Sequence, residues 1–185
     1  MKKAIQLLAL LPVLLFSSCQ TSKKDVTPEE PTMADVIGKW HFVSEDIDFQ
    51  GIRTMDNRIG SSGYESDNYT LTLTSDGKFT SDMFLYVDGA SPYGIPAGST
   101  MSGTYTLEGK YLVLKWGKRT NQAFYEHKFY YNTVVKNNKL TLFIDLETVK
   151  KTIVNSSFPD TEAYSYQVLL SNRTRNNVTY KFDKK

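Results

Sequence analysis

A single cysteine, two histidines and no apolar run long enough to span a bilayer are what this 185-residue chain has least of. One cysteine cannot close an intramolecular disulfide, nor can it build a thiolate metal cage. His41 and His127 are the only imidazoles, and neither an H-E-x-x-H helix nor a G-x-S-x-G turn occurs. The expectation is a non-enzymatic chain with no metal and no cofactor. Charge of one sign is lacking too. The formal net charge of +2 disappears once Lys2 and Lys3 are set aside, which leaves no basic footprint for nucleic acid. Long amphipathic helical periodicity is absent, so a helix bundle is excluded.

The first nineteen residues carry a recognisable arrangement. Two lysines precede the apolar stretch Ala4–Phe16. As a helix it would span roughly 20 Å, short of the ~30 Å of hydrocarbon in a bilayer. A basic start, a short apolar region and small residues before a processing point describe an export signal. The division expected is a signal peptide over 1–18, a lipidated cysteine with a flexible tether over 19–33, and one β-barrel domain over 34–185. The tether is rich in Lys, Glu and Thr, carries two prolines, and is nearly devoid of apolar residues beyond Val26, so it cannot bury enough surface to fold.

Phe16-Ser17-Ser18-Cys19 resembles the lipobox of bacterial lipoproteins, with Phe16 in place of the usual leucine. The resemblance implies that Cys19 becomes the first mature residue and is the lipid attachment point. It would carry a diacylglyceryl thioether and an acyl chain such as palmitate on its amine. The implied partner is a membrane in the bacterial cell envelope. Gln20 stands where an aspartate would signal inner-membrane retention, so the outer membrane is favoured, at its periplasmic face or at the cell surface. Lys23-Lys24-Asp25 reads either as a surface-export hint or as plain polar tether. Acylation would also account for an exported thiol with no disulfide partner.

From Trp40 onward, period-two alternation recurs almost to the end. Tyr69, Leu71 and Leu73 alternate with threonines, turn at Ser75-Asp76-Gly77, and return over Phe79–Val87. Met101, Gly103, Tyr105 and Leu107 turn at Glu108-Gly109 and return through Leu112, Leu114 and Trp116. Phe124–Val135 turns at Asn137-Asn138 and returns through Leu140, Leu142, Ile144 and Leu146. Tyr164, Tyr166, Val168 and Leu170 predict a further strand, and Val178, Tyr180 and Phe182 close the chain. A first strand over Gly38–Phe49 brings the count to about nine, with one short helix expected within Thr148–Ser157. The fold class is all-β: an antiparallel meander closing into an eight- to nine-stranded barrel, favoured over a two-sheet sandwich because closure hides the edges.

Gly38-Lys39-Trp40 at the head of the first strand looks like the G-x-W motif of lipocalins. Together with three hairpins and a terminal Tyr-Lys-Phe strand, it is similar to the lipocalin-like domains of bacterial lipoproteins. That resemblance implies structural roles for Gly38 and Trp40, with Trp40 packed across a closed barrel end and capped by Arg173 or Arg175. The Thr-Asp-Tyr turn of lipocalins does not occur.

Candidate site residues come from strand faces. Alternation places Tyr125, His127, Phe129 and Tyr131 on one face of the first strand of the third hairpin, and Tyr105 on the apolar face of another. Tyr93 sits in the Gly/Pro-rich loop Asp88–Thr100, which either covers an open end or is a plain connection. These six form the expected ligand-binding set for a small apolar or amphipathic molecule. The alternatives are that the aromatics simply fill the barrel and that His127 is satisfied by neighbouring tyrosine hydroxyls. A second expectation is a non-catalytic structural or interaction lipoprotein with a solid barrel, meeting protein or glycan through Tyr64 and Tyr93. Glu45, Asp46 and Asp48 read as a solvated edge rather than a calcium cage.

Overall fold

The computed structural model describes residues 30–52, 58–61, 69–82, 85, 100–120 and 123–185, with the side chains of 58–61, 118–120, 161 and 162 left aside. Its elements run in the order α1 (Met33–Val36), β1 (Gly38–Gly51), β2 (Arg58–Ser61), β3 (Thr70–Leu73), β4 (Lys78–Ser81) and β5 (Met101–Glu108). Then follow β6 (Tyr111–Thr120), β7 (Ala123–Lys136), β8 (Lys139–Ile144), α2 (Leu146–Asn155), α3 (Asp160–Asn172) and β9 (Arg173–Lys184).

Strands β3 to β9 pair in sequence order, and β9 pairs with β1, so eight antiparallel strands close on themselves. β2 is the ninth strand and lies beside the second half of β1, where β3 no longer reaches. Closure hides the strand edges except above the short β8, and turns the inward side chains into one shared core. Alternation supplies that core. Leu71 and Leu73, Leu112 and Leu114, Leu140 and Leu142, and Val178, Tyr180 and Phe182 are all buried.

Three tight turns gather at one end of the barrel. Asn137 and Asn138 both take positive φ (52° and 59°), the backbone that a two-residue hairpin with the strands' own twist requires. The other two turns place Gly77 and Gly109 at positive φ. Trp40 plugs this end. It is wholly buried, and its Nε1–H donates to Val36 O at 2.7 Å, so α1 acts as a cap held by the plug. Asp35 accepts from the Thr32 N–H at 2.8 Å and fixes the start of that cap.

Several expectations are corrected. Residues 164–170 are not a strand but the core of α3. Tyr166, Leu169 and Leu170 satisfy helical spacing as well as any alternation does, and they face the core. Pro159, preset to φ −55°, opens the helix. Nine strands are nonetheless present among the described residues, because β2 was not foreseen. β8 stops at Ile144, and Leu146 begins a helix that matches the one expected within 148–157. β4 ends at Ser81, and residues 83, 84, 86 and 87 of the expected return lie outside the described residues. Trp40 is not covered by either arginine. β9 runs antiparallel to β1, which sets Lys184 opposite Trp40 and Arg173 opposite Gly51. The Lys184 ammonium sits 5.0 Å from the Trp40 ring, whereas Arg173 lies 3.7 Å over Phe49, toward the other end.

β1 holds a further correction. Its register against β9 slips between Phe42 and Ser44, a bulge that consumes Val43. Before it, Trp40 and Phe42 point inward; after it, Glu45, Ile47 and Phe49 do. Without the bulge Asp46 and Asp48 would be buried. With it they face solvent, where Lys181 and Arg175 pair with them at 2.5 Å and 2.8 Å. Glu45 is therefore buried, not part of a solvated edge.

Candidate functional site

Above β8 the wall is completed by helices. β7 is fourteen residues long and β8 only six, so among the described residues no strand pairs with β7 on that side before Asn132. α2 and the two serines that follow it run along this gap and supply hydroxyls in place of a partner strand. Tyr130 N–H donates to Thr152 Oγ1 at 3.1 Å, Lys128 N–H to Ser156 Oγ at 2.7 Å, and Glu126 N–H to Ser157 Oγ at 2.7 Å. Every second amide from Glu126 to Tyr130 is thus satisfied, the buried one being that of Tyr130. The Asp145 side chain accepts from Thr148 N–H at 2.8 Å and starts α2 at the point where β8 ends.

At this level the inward residues are aromatic. Trp116 and His127 are register partners on β6 and β7, and their rings stack at 5.2 Å with 9° between planes. Phe129 meets Trp116 edge-on at 4.4 Å. Phe158, from the link between α2 and α3, meets His127 edge-on at 5.0 Å and contacts Tyr166 of α3 at 4.9 Å. His127, Phe129 and Tyr166 are buried, while Trp116 and Phe158 remain partly exposed. The cluster therefore joins the core to the surface at the end away from Trp40.

The expected site residues distribute unevenly over this frame. His127 and Phe129 fall inside the cluster. Tyr131 lies deeper, wholly buried, and its hydroxyl donates to Leu85 O at 2.7 Å; burial, with Tyr166 nearby, holds its phenol well above the usual range. Tyr105 is also buried but turns toward the Trp40 end, where its hydroxyl donates to Thr74 O at 2.8 Å. Burial first, and the Asp76 charge second, raise its pKa. Tyr125 is half-buried on β7, above His127. Cys19, Tyr64 and Tyr93 lie outside the described residues. Gly38 has φ 144°, open to glycine, and the Lys184 side chain packs where its Cβ would stand.

Phe158 and Tyr166 were not anticipated as neighbours of His127. Phe158 falls in a linker and Tyr166 in a segment of strand-like alternation, so only the turn of the chain past β8 unites them with β7. Two further polar groups are buried in the same half of the barrel. Asn176 accepts from Arg173 Nη1 at 2.5 Å and donates to Ile144 O at 3.4 Å, tying the tops of β8 and β9. Glu45 is the register partner of Tyr180. Among the described residues, no three His, Cys, Asp or Glu side chains gather as a metal cage.

Fold and cluster together define a closed eight-stranded antiparallel barrel with an aromatic, helix-completed end. No protein-family model matches this chain, and no curated protein or solved structure is matched by it.

Proposed function

We propose that this protein is a lipid-anchored component of the bacterial envelope, held through Cys19, whose barrel takes a small apolar or amphipathic molecule at its aromatic end. The observation that carries the reading is the Trp116–His127–Phe129–Phe158–Tyr166 cluster, with Trp116 and Phe158 reaching the surface. Such a group offers flat apolar area with one polar tip, which suits a ligand with an apolar body and a single polar group. The ligand would enter between the helices and β7 rather than through the Trp40 end.

The test is native mass spectrometry of the mature chain extracted from its own membranes. A co-purifying small molecule that is lost in Trp116→Ala is the expected result. An empty chain, with no ligand-dependent change in Trp116 fluorescence across a lipid and fatty-acid panel, overturns the reading.

A second reading is a non-catalytic interaction lipoprotein with a solid barrel. It is favoured by how completely Trp40, Phe79, Tyr131, Tyr180 and Phe182 fill the interior. Tyr164 and Val168 on the outer side of α3, with Ile52 adjoining Asn172, would then be the contact surface.

A further inference from the structure

We propose that the Trp40 end of the barrel is a headgroup-contact surface, a ring of lysines that meets the phosphates of the leaflet holding the anchor. The proposal rests on acylation of Cys19. Three turns and both ends of the domain converge there. Lys39 lies at the start of β1, Lys110 follows the Glu108–Gly109 turn, Lys136 precedes the Asn137–Asn138 turn, and Lys185 ends the chain. All four are exposed, and none has a carboxylate partner among the described residues.

The acids of the same end are largely engaged. Asp35 is held by Thr32, Asp76 by Lys78 at 2.7 Å and by Thr74, and Asp183 by Lys139 at 3.2 Å. Asp35 keeps its charge, and with Glu30 and Glu108 it stands against the four lysines and Lys184, which donates to Ile37 O at 2.8 Å. Cations prevail at the rim, and their four-carbon stems reach farther than the carboxylates. Lys136 and Lys139 are direct cross-strand partners. Lys139 is already compensated by Asp183, so Lys136 is the one of the two left to meet a phosphate.

The path of the chain points the same way. Glu30 enters beside the second turn, where a Cβ on Gly109 would stand 3.4 Å from Glu30 Oε1. Glu30 follows Cys19 by eleven residues, which reach at most about 40 Å when fully extended. The tether enters the domain at this end, so an acylated Cys19 holds it within about 40 Å of the leaflet. Each lysine brought to an anionic surface strengthens contact roughly fivefold, and salt screens the effect.

The experiment is amine footprinting of the acylated, full mature chain reconstituted in two kinds of vesicle. One is phosphatidylcholine alone; the other contains about a third phosphatidylglycerol, enough for a strong surface potential. Expected is at least a threefold slowing, roughly, of labelling at Lys39, Lys110, Lys136 and Lys185 in the anionic vesicles, reversed at high salt. Lys150 on α2 should label alike in both. An acylated chain that floats with both vesicles but shows equal labelling of the four lysines overturns this proposal and leaves the anchor standing. A chain with no acyl mass on Cys19 that floats with neither overturns both.

Discussion

The hydroxyls of α2 and of the two serines after it that face β7 provide a direct test of how the wall is completed. Thr152→Val keeps the side chain's shape and removes only the acceptor of the Tyr130 N–H. Thr152 is wholly buried and Tyr130 nearly so, so water cannot replace the lost bond. An orphaned buried amide costs about 1–3 kcal/mol, and about 2 kcal/mol is expected here. For a domain of this size that lowers the melting temperature by roughly 4–8 °C. Ser156→Ala removes the acceptor of the Lys128 N–H at a half-buried position. Solvent can take over there, so the cost falls to about 0.5–1 kcal/mol. Urea denaturation supplies the energies, and amide hydrogen exchange supplies the location. The Tyr130 amide should exchange faster in Thr152→Val while amides of the β3–β4 hairpin keep their rates relative to global unfolding. The reasoning fails if Thr152→Val changes stability by less than about 0.5 kcal/mol, or if the Ser156 variant proves the more damaging of the two.

Two further outcomes follow from local geometry. Gly103→Ala would set a methyl 2.0 Å from Lys115 O and 3.0 Å from the Phe79 ring, so overpacking should cost about 2–3 kcal/mol in a urea titration; an unchanged midpoint would contradict the close approach of β5 and β6. Asp76 is held at about 2, below its ordinary 3.8, first by the Lys78 hydrogen bond and then by Thr74. A depressed folded pKa stabilises above the unfolded value and is lost as pH falls through the folded one. Denaturation followed from pH 4.5 to about 2 should therefore show a decline in the native chain that is shallower in Asp76→Asn.

Legibility in the sequence followed the length scale of each signal. The three hairpins were readable because alternation and turn chemistry reinforce each other over ten or more residues, as at Val135-Lys136-Asn137-Asn138. The inward face of β7, with His127 and Phe129, was readable for the same reason. The β1 bulge was not, since one extra residue at Val43 leaves no compositional mark and yet reverses every face beyond it. The segment 160–172 was misread because Tyr164, Tyr166, Val168, Leu169 and Leu170 fit either period. What decides it is the gap left by a short β8, a tertiary fact. The cation on Trp40 was misplaced because strand direction, not residue preference, brings Lys184 there.

The pairing of β1 with β9 has a kinetic consequence. It joins the first strand to the last through eleven register pairs from Trp40–Lys184 to Gly51–Arg173, and its Asp46–Lys181 bridge links residues 135 positions apart. Neighbouring hairpins can form as soon as their own residues are present, but the ring cannot shut until the final dozen have emerged. Such non-local pairing slows folding far more than it penalises the finished state, because loop-closure entropy grows only logarithmically. Until β9 arrives, the long flank of β1 is an open template. The last strand is thus both the lock of the ring and the clock of its assembly.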